Sequence, residues 1–111
     1  MNRSAQRGGE EEAPDEPPFP SRAVVRELCI CNKKGLHARA SAKFVQTVEK
    51  FDAQVRVTRA GETVGGTSIM GLMMLAAAPG TTITVEASGP QAAEVVEALA
   101  ALIESRFGEI D

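Results

Sequence analysis

With 111 residues, 43% of them hydrophobic, the chain has room for one compact domain with a modest core and none for two. Only 4% is aromatic, with no Trp or Tyr, so the stacking platforms that hold single-stranded nucleic acid are missing. A net charge of −3 leaves no broad basic surface, which excludes nucleic acid as an expected partner, and no apolar run is long enough to span a bilayer.

Residues 1–21 are rich in Gly, Pro and acids. Glu10, Glu11, Glu12, Asp15 and Glu16 against Arg3 and Arg7 account for the whole net charge. Such a composition cannot bury enough surface to offset the entropy of ordering, so a disordered acidic, Pro-rich arm is expected there, with the folded domain at 22–111. The arm carries no apolar run of the kind a secretion signal needs, and a cytoplasmic location is expected.

From Val24 to Cys31 the chain alternates with period two, which predicts a first strand with Leu28 and Ile30 inward. Cys29 and Cys31, two apart on it, share a face; a tight disulfide between them is sterically disfavoured, and they lack the spacing of a zinc framework. Asn32–Gly35 reads as a loop. Residues 38–50 then put Ala40, Phe44, Val45 and Val48 on one face of a helix. Phe51-Asp52 ends it, and Ala53–Thr58 alternates again, with Val55 and Val57 inward and Gln54 and Arg56 outward. Ala60-Gly61 supplies a turn, Glu62–Gly65 a short third strand, and Gly65-Gly66 a break.

Thr67 or Ser68 caps a second helix, in which Ile69, Met70, Leu72, Met73, Met74 and Leu75 are apolar nearly all round. A short helix of that kind must expose part of its apolar surface. Pro79-Gly80 ends it. Thr81–Ser88 is the clearest strand, with Ile83, Val85 and Ala87 on one side and Thr82, Thr84 and Glu86 on the other. Pro90 stands where a first helical residue belongs, and Ala93, Val96, Leu99, Ala100, Ile103 and Phe107 recur at helical spacing through a long last helix. The order β-α-β-β-α-β-α predicts an α/β (α+β) sandwich, one small sheet open on one face with the helices packed on the other.

The candidate reactive group is His37, the only histidine, at the junction of the first strand and helix. The first N–H groups of a helix lack internal partners and, with the positive end of the dipole, form an anion site where a phosphoryl group on His37 would be stabilised. Lys33, Lys34, Arg39 and Lys43 cluster around it with no acid between them, a local positive patch suited to phosphate. Arg39, beside the histidine, is placed to pair with that phosphate. No second titratable group recurs beside His37 to complete an acid–base site, which counts against a small enzyme, and a ligand-binding domain would need a deep apolar pocket.

Three stretches carry a family resemblance: Asn32–Arg39 (NKKGLHAR), Thr67–Met73 (TSIMGLM) and Ala76–Gly80 (AAAPG). With the spacing from histidine to serine, residues 23–108 resemble the HPr family of histidine-containing phosphocarriers of the bacterial phosphotransferase system. The resemblance implies a four-stranded, mainly antiparallel sheet with three helices on one face. It implies phosphorylation of His37 at Nδ1, neutralisation of the phosphoryl group by Arg39, and regulatory phosphorylation of Ser68, which is also a helix cap. The implied partners are Enzyme I, acceptor proteins of the EIIA type and HPr kinase/phosphorylase, met through Leu36, Ala38, Ile69, Met70 and Met73. No metal or organic cofactor, no catalytic turnover and nothing beyond a monomer is implied.

Two departures stand out, one of them the acidic, Pro-rich arm at 1–21. Many members have proline after the arginine, whereas this chain has Ala40, which keeps an N–H in the first turn. Phe51–Val55 (FDAQV) and Ser88–Gln91 (SGPQ) resemble the nitrogen-related, regulatory branch and alphaproteobacterial members more than the sugar-transport carriers. Two functions remain open at this point: a carrier that passes its phosphoryl group onward, and a regulatory signalling protein read by partners according to its phosphorylation state, without sugar transport.

Overall fold

The computed structural model describes residues 23–75 and 78–109; the expected arm at 1–21 lies outside them, as do Ala76 and Ala77. The elements are β1 (Val24–Cys29), α1 (Ala38–Val48), β2 (Gln54–Arg59), β3 (Glu62–Gly65), α2 (Ile69–Met74), β4 (Thr82–Ser88) and α3 (Ala92–Glu104). The strands form one sheet in the order β1-β4-β2-β3, and every neighbouring pair is antiparallel. This is the expected β-α-β-β-α-β-α order.

Alternation sets which face of the sheet is buried. Ile83, Val85 and Ala87 of β4 are fully buried, while Thr82, Thr84 and Glu86 between them are not. Leu28 lies opposite Ile83 and Val57 opposite Val85, so three strands present one continuous apolar surface. Onto it pack Phe44, Val45 and Val48 from α1 and Val95, Val96, Leu99 and Ile103 from α3. The second helix, six residues long, contributes Leu72, followed by Leu75 at its C-cap. A helix that short has no independent stability in water, so burial of those two leucines holds it.

The boundaries differ from the sequence pattern where local contacts compete. β1 stops at Cys29, although Ile30 still donates its N–H to Thr81 O at 2.8 Å and accepts from Gly80 N–H at 2.7 Å. Cys31 therefore lies past the strand, with its thiol 3.1 Å from Ile103 O, and both cysteines are free thiols that alternate with buried Leu28 and Ile30. Helix α1 ends at Val48, two residues before the expected limit.

Helix α3 starts at Ala92, not at Pro90. Gln91 donates its N–H to Asp52 O at 3.0 Å, and its side-chain Oε1 accepts from Asp52 N–H at 2.7 Å, which clamps the helix start to the α1–β2 connection. Gly89, at φ 110°, passes so close to that connection that a Cβ would sit 3.2 Å from Ala53 Cα. The helix is rotated accordingly: Ala92 and Val95 are buried, and Ala93 is exposed.

The largest difference is at the C-terminal end. Helix α3 stops at Glu104, and Phe107 belongs to a separate 3₁₀ turn, Arg106–Gly108. Arg106, Phe107 and Gly108 all have positive φ, at 58°, 56° and 72°. Left-handed backbone costs a residue with a side chain about 1–2 kcal/mol. Full burial of the Phe107 ring offsets that, at about 1.5–3 kcal/mol. Lys43 Nζ also donates to Phe107 O at 2.5 Å. The turn folds the chain back towards the start of α1.

Candidate functional site

The loop before α1 is built on Asn32. Fully buried, Asn32 donates from Nδ2 to Gly35 O at 2.8 Å, while Gly35 donates its N–H back to Asn32 O at 3.3 Å. Gly35 has φ 65°, a conformation that suits the residue without a Cβ. The chain leaves this turn with Leu36 pointing inward, only 5% exposed, so the expectation that Leu36 borders a docking surface is corrected: its side chain belongs to the core beneath the site. Ser41, buried one turn on, donates from Oγ to Leu36 O at 3.2 Å and ties the loop to the helix.

His37 follows as the N-cap of α1, with extended backbone at φ −77° and ψ −177°. Its Nδ1 accepts from the N–H of Arg39 at 3.3 Å. On the other side of the ring, Nε2 meets the Glu109 carboxylate at Oε2. An ionised carboxylate only accepts, and an N–H only donates, so both contacts call for the same tautomer, with the proton on Nε2 and a lone pair on Nδ1. The imidazole side chain keeps 28% of its surface open, which leaves it within reach of another protein.

Glu109 is the residue that the sequence pattern missed, and it corrects the expectation that no second titratable group stands beside His37. Asn32 Nδ2 donates to its two carboxylate oxygens at 3.1 and 3.3 Å. Its pKa is lowered first of all by the hydrogen bond from His37, then by that from Asn32 and by the charges of His37 and Lys34, against the opposing effect of burial. The carboxylate thus stays charged into more acidic solution than an ordinary glutamate. The one hint in the sequence was a cluster of cations with no acid among them, which does not say where in the chain an acid would come from.

Around the ring lies an open basin walled by Lys33, Lys34, Arg39 and Lys43, with Gly108 and Glu109 on the remaining side. The expected positive patch is therefore one surface, with His37, the exposed Ala38 and Arg39 at its centre.

Helix α2 packs against α1 and holds the remaining expected residues. Ser68 is its N-cap, exposed, with Oγ accepting from Gly71 N–H at 3.0 Å. A Cβ at Gly71 would come within 2.8 Å of that oxygen, so the cap depends on glycine one turn in. Ile69, Met70, Met73 and Met74 are 40%, 73%, 42% and 74% exposed. The second helix therefore leaves four large apolar side chains open to solvent, as its all-round apolar sequence led one to expect.

Residues 24–105 match the family model described as the PTS HPr component phosphorylation site. The chain is 54% identical over 86 residues to the phosphocarrier protein HPr of Cupriavidus necator, a match covering 78% of this chain and 97% of that protein. It is 37% identical over 86 residues to the phosphocarrier protein NPr of Shewanella violacea, covering 78% and 94%, which is consistent with the likeness to the nitrogen-related branch. Among solved structures, HPr-C-His from Thermoanaerobacter tengcongensis superposes with a TM-score of 0.75 at 42% identity, covering 79% of this chain and 99% of that one. The fold and its histidine-bearing end define a carrier module of the phosphotransferase system. The chain belongs to the HPr family of phosphocarrier proteins.

Proposed function

We propose that His37 accepts a phosphoryl group at Nδ1 from phosphorylated Enzyme I, charged ultimately by phosphoenolpyruvate, and passes it to an acceptor protein of the EIIA type. The observation that carries this reading is the lone pair on Nδ1 at the start of α1, within a basin of four cations. In the acceptance step the Nδ1 lone pair attacks phosphorus and a P–N bond forms. The donor's own P–N bond breaks, its electron pair returning to the donor nitrogen. The first N–H groups of α1 and the Arg39 guanidinium then face the new phosphate. Ala40, where proline is common in the family, leaves one more N–H in that turn.

Turnover of a small molecule is not part of this role; the protein is itself the substrate of its partners, in the cytoplasm. Ala38, Ile69, Met70 and Met73 supply the docking surface, and flexible methionines suit several partners in turn. Phosphate placed on Ser68 by HPr kinase/phosphorylase adds roughly −1.5 to −2 charges at the start of α2, a position where the helix tolerates them while partners that dock there meet new repulsion. The arm at 1–21 is an appendage to a carrier domain at 22–111. An alternative reading, a regulatory protein read by partners according to its phosphorylation state without sugar transport, draws on the 37% identity to an NPr, beside 54% to an HPr.

Intact-mass analysis after incubation with phosphoenolpyruvate and Enzyme I tests the proposal. The wild type is expected to gain one acid-labile phosphoryl group and the His37→Ala variant none. An equal gain by the variant would place the acceptor elsewhere.

A further inference from the structure

A carboxylate in a basin that receives phosphate is an electrostatic oddity. Lys33 and Lys34 from the loop, and Arg39 and Lys43 from α1, all draw an incoming phosphoryl group, whereas Glu109 repels it. The chain nevertheless goes to some length to put it there. Arg106 and Phe107 are held in left-handed backbone, Phe107 is buried, Lys43 fastens the turn, and the buried Asn32 amide aims the carboxylate. Strain persists at such positions only where the surroundings over-determine it.

The geometry points to Glu109 as a positioning residue that holds His37 through Nε2–H and serves as the counter-charge to the ring once Nδ1 carries phosphorus. This rests on the reading of His37 as phosphoryl acceptor. When Nδ1 gives its lone pair to phosphorus and Nε2 keeps its proton, the imidazole becomes a cation. The carboxylate lies against Nε2, on the far side of the ring from Nδ1. There it offsets the new positive charge while the phosphate sits among the cations on the other side. Departure of the phosphoryl group reverses the change: the P–N pair returns to Nδ1, the ring is neutral again, and the proton never leaves Nε2. Glu109 thus favours the loaded carrier and slows premature loss of charge from the ring.

Phosphorus NMR of the phosphorylated protein, titrated with pH, separates this role from a merely structural one. Glu109→Gln keeps the shape and the ability to accept from Nε2–H but removes the charge, leaving all four surrounding cations in place. The expected result is a titration midpoint of the phosphorylated ring lower by about one pH unit in Glu109→Gln than in the wild type, with a shift at least as large in Glu109→Ala. An unchanged midpoint in a phosphorylated Glu109→Gln protein overturns the role of Glu109 and leaves the carrier reading standing. A wild type that takes up no phosphoryl group on His37 overturns both.

Discussion

The His37 end of the molecule and the exposed face of α2 belong to helices that pack together, yet they are built on opposite principles. The α2 face is contiguous: Ser68, Ile69, Met70 and Met73 lie within six residues, and the helix owes its place to two buried leucines. The His37 end is assembled from the Asn32 loop, the first turn of α1 and a C-terminal turn more than sixty residues away, joined by directed hydrogen bonds. One surface offers apolar area that adapts to partners. The other offers a fixed arrangement of charges around one nitrogen. The function proposed above, several partners met and one chemical step performed, would use both.

Variants sharpen the contrast. The largest effect on the assembled end is expected from Phe107→Ala, which leaves His37 and Glu109 unchanged but removes the buried ring of the C-terminal turn. Urea denaturation should report a loss of about 3–5 kcal/mol, as for other buried phenylalanines. A loss below about 1 kcal/mol, smaller than any such cavity mutant, would mean that the turn is not anchored by this ring. On the α2 face the expectation is reversed. Met70→Ser with Met73→Ser should leave stability within about 0.5 kcal/mol of the wild type, because both side chains are exposed. The same change should weaken docking to Enzyme I about tenfold, a loss of roughly 1.4 kcal/mol, measurable by calorimetric titration. Unchanged affinity would remove those methionines from the docking surface.

The last expected effect belongs to the start of the α2 face, the Ser68 cap. Ser68→Ala should cost ~1 kcal/mol by loss of the bond to Gly71 N–H. It should also abolish the phosphate added by HPr kinase/phosphorylase and ATP, read by mass spectrometry. A phosphate that persists in the variant would remove Ser68 as its site.

The same contrast explains what the sequence made legible. The sheet, the helix order and the exposed methionines of α2 follow from periodicity within short windows, since alternation or helical spacing decides which side is buried whatever the neighbours are. His37 and its cations were legible for the same reason, lying within a dozen residues. Glu109 was not, because its position depends on three successive positive-φ residues and on a hydrogen bond to Asn32 from the far end of the sequence. Extending helical spacing to Phe107 hid the break that redirects the chain. Pro90 misled in a related way: a good first helical residue in isolation, it is displaced by the bonds that Gln91 makes with Asp52. Leu36 reads as a neighbour of the histidine in sequence but turns into the core in space.

In the proposed function phosphorus joins His37 at Nδ1 while Nε2 keeps its proton against Glu109. Because His37 is the only histidine, nitrogen-15 labelling of histidine in the phosphorylated protein yields one imidazole, and nitrogen–phosphorus coupling in its NMR spectrum identifies the bonded atom without ambiguity. Coupling at Nδ1 and a proton on Nε2 are the expected result. Coupling at Nε2, or a phosphorylated protein with no coupling to the ring at all, would contradict it.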